Sequence, residues 1–323
     1  MEDLIRRYLE NAIAAERSFE TQLEGFSNSA VYEPARTAFS AHAAETRWQY
    51  ELLTARLQML GGEPSAFKSA LAHVFNAAPK MAQTGYSDEE RTVQDLAMAF
   101  AVENAEVAMY ESLVIAAEAF EDQKTAAVAK EIQAQERATA EKVWQLIAPL
   151  SREAFLKVRV GSTRDNPLAT WIEDAEAAER NFEDALSSFS NTGDQPEIQS
   201  LFLMMSGKAA TQHERLEKRL REIGGSPSIG KSILAHLLAF APLTARVGYS
   251  DSEKAVQNLM VVYSAAGAEM AMYESLAAVA DTAGDAKTGQ LARELQSEEK
   301  EDHRLAWNQL APAARHAMMT LVH

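Results

Sequence analysis

The chain repeats itself at one fixed spacing. The hexapeptide AMYESL begins at Ala108 and returns at Ala271, 163 residues further on. The same offset relates Glu16 to Glu179, the pair Gly61-Gly62 to Gly224-Gly225, Tyr86 to Tyr249 and Trp144 to Trp307, with no insertion or deletion. A repeat of this length is a whole folding unit, far longer than one turn of a solenoid. The 323 residues therefore read as a tandem duplication, with a first unit expected at residues 1–157 and a second at 165–323.

Each unit carries the pattern of long helices. Leu9, Ala12, Glu16, Phe19 and Leu23 recur at three and four residues, which predicts a first helix over residues 2–25. Phe39, Ala43, Thr46, Tyr50, Leu53 and Leu57 mark a second, from Glu33 to Leu60, stopped by Gly61-Gly62 and Pro64. A shorter amphipathic stretch, residues 67–82, leads to Ser87 and Glu90, the capping-box spacing that opens a third helix over 88–120. A fourth is expected over 123–148, ending before Pro149, with residues 151–158 either a fifth helix or an approach to a linker at 158–169. Scarce glycine (14) and proline (9) and the lack of β-branched alternation agree with an all-α chain. Long helices joined by short turns form antiparallel bundles, so two four-helix bundles packed as an internal pseudo-dimer are expected.

Composition narrows the function. A formal charge of −16 argues against nucleic acid or an anionic membrane as partner, although solubility alone accounts for such a surface. The absence of cysteine excludes disulfides, thiolate ligands and thiol catalysis, and fits a reducing compartment. The first sixteen residues carry acids and lack a signal peptide's apolar core, and no segment is apolar enough to span a bilayer, so a cytoplasmic protein is expected. Residues 225–232, GSPSIGKS, match the phosphate-loop pattern by letter, but a helix end precedes them where that loop needs a strand.

The candidate chemistry lies in acids that fall inside apolar stripes. Glu16 comes from helix one, His42 and Glu45 from helix two, Glu103 and Glu106 from helix three, and Glu136 from helix four. Carboxylates drawn into a core repel one another and lose solvation unless something cationic joins them. A pair of iron or manganese ions would do so, because oxygen and imidazole ligands suit both. Taken singly, each of these acids reads equally as part of a solvated face, and His42 as a packed, hydrogen-bonded histidine. Met109, Tyr110, Met272, Tyr273, Trp144 and Trp307 read as core, with the two tyrosines also able to hydrogen-bond a site carboxylate.

The ordered motifs AERSFETQL, AFSAHAAETRWQYELL, LGGEP and AVENAEVAMY resemble the ferritin-like family known as YciF or DUF892. The likeness covers the first unit nearly end to end and the second more loosely. It implies a ferritin-like bundle with a di-metal centre, stress-associated expression and a tendency to dimerise. Carried over residue by residue, it selects Glu16, Glu45, Glu103, Glu106 and Glu136. Where many ferritin-like sites place histidines, this chain has Trp48 and Thr139. In the second unit Glu179, Glu269 and Glu299 remain, whereas Met205, Lys208 and Ala266 stand where His42, Glu45 and Glu103 stand. Lys208 is expected to neutralise those three acids without metal, with Asp302 and His303 as further candidate ligands. The implied activity is ferrous iron oxidation or peroxide reduction at the first unit. The rival readings are a non-enzymatic structural or interaction protein that keeps the fold without metal, and an oxygenase acting on an organic substrate. Homo-oligomerisation beyond the fused halves stays open at this point.

Overall fold

The computed structural model describes residues 2–64, 83, 85–161, 166–227 and 249–322. The amphipathic stretch expected at 67–82 lies outside them, as do residues 228–232 of the phosphate-loop lookalike. Among the described residues there are eight helices and no strand. The first half contributes α1 (Glu2–Ser29), α2 (Glu33–Met59), α3 (Asp88–Ala119) and α4 (Gln123–Gly161). The second contributes α5 (Pro167–Phe189), α6 (Pro196–Glu222), α7 (Asp251–Ala283) and α8 (Ala286–Val322). Each half is an all-α bundle of two hairpins, α1 with α2 and α3 with α4, repeated as α5 with α6 and α7 with α8.

Local chemistry sets the helix ends. Ser87 and Glu90 exchange both bonds of a capping box at the start of α3, and Ser250 with Glu253 does the same for α7. Gly61 follows α2 with φ at +74°, a backbone region that an L side chain rarely adopts. A Cβ on the adjacent Gly62 would stand 2.5 Å from Leu57 Cδ1, so the pair of glycines is required there.

One expected helix boundary fails. Helix α4 does not stop before Pro149 but runs on to Gly161, so residues 151–158 are neither a separate helix nor a linker. Proline removes one helix hydrogen bond at a cost of about 3 kcal/mol. Beyond it Leu150, Ala154, Phe155 and Val158 are buried. One fully buried Phe contributes roughly 1.5–3 kcal/mol, so the continued apolar face outweighs the break. Helix α8 runs through Pro312 in the same way, with Ala313, Ala314 and Ala317 buried past it.

The repeated hexapeptide lies in α3 and α7, which are buried on nearly every side. A helix that is apolar around its whole circumference belongs in the middle of a protein. Helix α3 packs on α1, α4, α7 and α8, and α7 packs on α5, α8, α3 and α4. Equivalent residues meet where they cross: Ser264 Oγ donates to the Ala101 carbonyl at 2.7 Å, across a separation of 163 residues. Contacts farther out also come in related pairs. Arg137 lies 4.5 Å over the Trp307 ring, and Lys300 6.0 Å over that of Trp144. Such pairing is the signature of a two-fold interface made intramolecular by fusion. One apolar core runs through it, joining Phe39, Phe100 and Val143 to Phe182, Phe202 and Leu310, while a smaller cluster closes the far end of each half.

The crossing tolerates little bulk. A Cβ on Gly267 would stand 3.0 Å from the Asn104 side-chain amide. Gly267→Leu is expected to force the central helices apart and cost about 1–3 kcal/mol, read as a lowered thermal midpoint by circular dichroism.

Candidate metal centre

Halfway along the first bundle the apolar packing is interrupted by a layer of polar side chains. On α1, Ile13 belongs to the end cluster and Leu23 to the shared core, with Glu16 between them. On α2 the inward line runs Phe39, His42, Thr46, Gln49, Leu53. On α3, Glu103 and Glu106 separate Phe100 from Tyr110, and on α4 Glu136 separates Ile132 from Val143. Four glutamates and one histidine from four helices are therefore closed off from water, none more than 3% exposed.

His42, Glu103, Glu106 and Glu136 converge, each offering a ligand atom within 4.8 Å of the others. His42 Nδ1 is 2.8 Å from Glu103 Oε1, and its Nε2 is 3.6 Å from Glu136 Oε2. Glu16 adjoins the group and accepts a hydrogen bond from the Tyr110 hydroxyl. Gln49 donates its amide to Glu136. Both oxygens of Glu106, Oε2 of Glu16 and Oε2 of Glu136 are buried without a hydrogen-bond donor. Buried oxygens of this kind normally have a partner, so the set calls for cations or protons.

Glu45 is not brought to the group. It sits one position off the inward line of α2, partly exposed, and accepts a hydrogen bond from Thr139 at 3.1 Å. The side chain of α2 at the centre is His42 instead. Gln49, which the pattern of acids did not single out, had a signal in the sequence, because Gln212 recurs 163 residues on.

The second half repeats the layer with fewer groups. Glu179, Glu269 and Glu299 lie within the same 4.8 Å limit, all buried. Tyr273 donates to Glu179, and Gln212 to Glu299 at 2.8 Å. Met205 fills the place of His42 and is 1% exposed. Lys208 does not enter among the three acids. It is partly exposed and pairs with Asp302, which is buried beside the acids, and its charge reaches Glu299 only as a lesser influence. His303 turns away to the interface, where it stacks on Tyr263 at 3.8 Å and meets Asn104 Oδ1 at 2.9 Å. Glu176 is an addition that the acids of the first half do not foreshadow, since Ile13 stands in its place. It is buried, with His213 Nε2 at 2.8 Å and Arg180 at 3.0 Å.

A sequence profile of the DUF892 family, described as a domain of unknown function, matches residues 1–155 and again residues 163–316. The chain belongs to the DUF892 family. It carries two DUF892 repeats in tandem, each spanning one bundle and its acid layer. No curated protein and no solved structure matches the chain.

Electrostatics of the first DUF892 repeat follow from burial. Desolvation holds the carboxyls of Glu16 and Glu106 well above their ordinary range, reinforced by Glu136 on Glu16 and by Glu16 on Glu106. Glu103 is pushed up to about 8 by burial, with His42 working against it. Burial lowers His42, but the charge of Glu103 outweighs it and brings the imidazole up to about 10. In the second repeat burial raises Glu179 and Glu269 well above the usual range and Glu299 to about 7.

Every one of these shifts is upward, so the metal-free folded chain binds more protons than the unfolded chain above the ordinary carboxyl range. The stabilisation is complete below that range and is lost as pH rises through the folded values. The thermal midpoint of metal-free protein is expected to fall steadily from about pH 5 to about pH 8. A calorimetric pH series checks this, and a midpoint that rose over that interval would show the acids to be ionised and satisfied.

Proposed function

We propose that the first repeat is a carboxylate di-metal centre of the ferritin-like type, holding iron or manganese and acting in ferrous iron oxidation or peroxide reduction. The observation that carries this reading is a layer of four buried glutamates and one histidine whose inward oxygens lack donors. The donor set fits the group. His42, Glu103, Glu106 and Glu136 would be ligands, and Glu16 would complete the set from α1. Oxygen and nitrogen ligands without sulfur suit iron and manganese. Bound metal would supply reversible one-electron chemistry with open positions for dioxygen or peroxide.

The side chains around the ligands have definite work in this scheme. The Tyr110 hydroxyl fixes one oxygen of Glu16 and the Gln49 amide one of Glu136, leaving the other oxygen of each without a donor. Protons held by Glu16, Glu103 and Glu106 must leave when metal enters, so loading is a proton-releasing event. The end cluster and shared core on either side keep bulk water from the layer.

The rival reading, a bundle kept for its fold alone, draws on the second repeat. There the three acids have neither a histidine nor a lysine among them, and held as neutral carboxyls they would need no metal. We assign that repeat a structural role, with the chemistry confined to the first.

Elemental analysis of the purified chain is expected to find iron or manganese that Glu106→Ala removes and Glu269→Ala leaves in place. Adding manganese to metal-free protein at about a hundred times its dissociation constant is expected to contribute about 2.7 kcal/mol, lost in Glu106→Ala. Oxygen uptake on adding ferrous iron is the activity readout. Metal-free protein with no thermal response to either ion would sink the metal reading, and loss of metal in Glu269→Ala would sink the division of roles.

A further inference from the structure

The seam between α2 and α4 and its copy between α6 and α8 are filled in opposite ways at the level of the acid layer. On α2, His42, Glu45 and Gln49 stand three and four residues apart, on one face of the helix. His42 lies 3.6 Å from Glu136, and Gln49 donates to it. Glu45 stands between those two but is partly exposed, and it accepts the Thr139 hydroxyl at 3.1 Å. Thr139 is one turn from Glu136 on α4 and is buried. The Glu45–Thr139 contact therefore stands between solvent and the layer, with the donorless Oε2 of Glu136 behind it.

Adding 163 gives Lys208 for Glu45, Asp302 for Thr139, Glu298 for Gln135 and Arg215 for Leu52. In this second seam the outer acids hold fixed cations. Lys208 pairs with Asp302, and Arg215 with both Glu298 and Glu294 at 2.7 Å. The residues at the same places in the first seam, Glu45, Thr139, Gln135 and Leu52, include no base. The other side of α2 does carry bases. Arg47 pairs there with Glu20 and Glu24 of α1, and Arg17 lies 6.0 Å from the Tyr50 ring centroid. Glu45 thus marks a side of the first bundle where a carboxylate reaches solvent without a cation paired to it.

We propose that Glu45 is the entry carboxylate of the first repeat, where a divalent cation exchanges part of its hydration shell for protein oxygen on its way to His42 and Glu136. The inference rests on the metal reading of that layer. One partly exposed carboxylate suits a transit point: it draws the ion from water but offers too few oxygens to keep it. Thr139 holds the carboxylate turned to the seam, and its hydroxyl oxygen is a second contact for the ion. In the second seam the Lys208 ammonium stands where the ion would dock, which closes that way to Glu179, Glu269 and Glu299. The proposal gives a task to an acid that the layer itself leaves aside.

Manganese(II) uptake by the metal-free full chain tests this, followed in stopped flow by a fluorescent indicator of the free ion. Metal content at saturation and release into excess chelator are measured separately. Glu45→Gln is expected to slow uptake by about tenfold or more, through loss of the local charge that focuses cations. Release is expected to slow alongside, because entry and exit share one path, so the metal content at saturation stays that of the wild type. Added salt is expected to slow uptake by the wild type more than uptake by Glu45→Gln. Glu45→Lys combined with Thr139→Asp copies the second seam and is expected to slow uptake further. Circular dichroism establishes that each variant is folded, and Glu45→Gln decides alone if the double variant is not. Uptake by Glu45→Gln at the wild-type rate overturns the entry role and leaves the metal reading standing. Loss of metal content with faster release does the same, by making Glu45 a ligand. A wild type that takes up no manganese overturns both.

Discussion

Four carboxyl groups enclosed in an apolar bundle are the constraint on which the first half of this protein rests. Ionised, unpaired acids at that depth would each cost several kcal/mol, and their mutual repulsion would add to it. The bundle meets the cost in part with its own groups. Tyr110 and Gln49 each donate to one acid, and His42 lies between Glu103 and Glu136. What remains must come from outside, as protons or as metal. A layer that only an added cation can complete is a poor device for stability and a good one for holding a cation.

The second half shows what the same architecture does when that demand is reduced. Removing Glu103's counterpart and replacing the histidine by Met205 leaves three acids, with the tyrosine and glutamine donors retained. The donors alone do not distinguish the halves, because both keep them. The distinction lies in the number of acids and in the imidazole. Lys208 is the replacement charge by its place in the sequence, but it pairs with Asp302, a buried neighbour of the three acids, and not with the acids themselves. Burial raises all three carboxyls in this half, as it raises Glu16, Glu103 and Glu106 in the other.

Duplication also let the interface diverge. Side chains on a two-fold axis must accommodate their own copies, and fusion removes that restriction. Asn104 faces Gly267, its own equivalent, so that one side chain occupies space that two could not share. His303 then approaches Asn104 from α8, a contact with no mirror image, since Ala140 is its equivalent in the first half.

The register of the duplication, the all-α class and the capped starts of α3 and α7 were legible in the sequence, because they rest on spacing and on bonds between near neighbours in the chain. Glu16, Glu103, Glu106 and Glu136 stood out for a related reason: each breaks an apolar stripe at helical spacing. Glu45 breaks no stripe, and its place beside Thr139 instead of among the acids depends on the rotation of α2 against α4. Equally out of reach were the passage of α4 through Pro149, settled by the apolar surface that waits beyond it, and the choice of Asp302 by Lys208. The chain's own pattern determined which side chains turn inward; only the packing of one helix against another decided which of them meet.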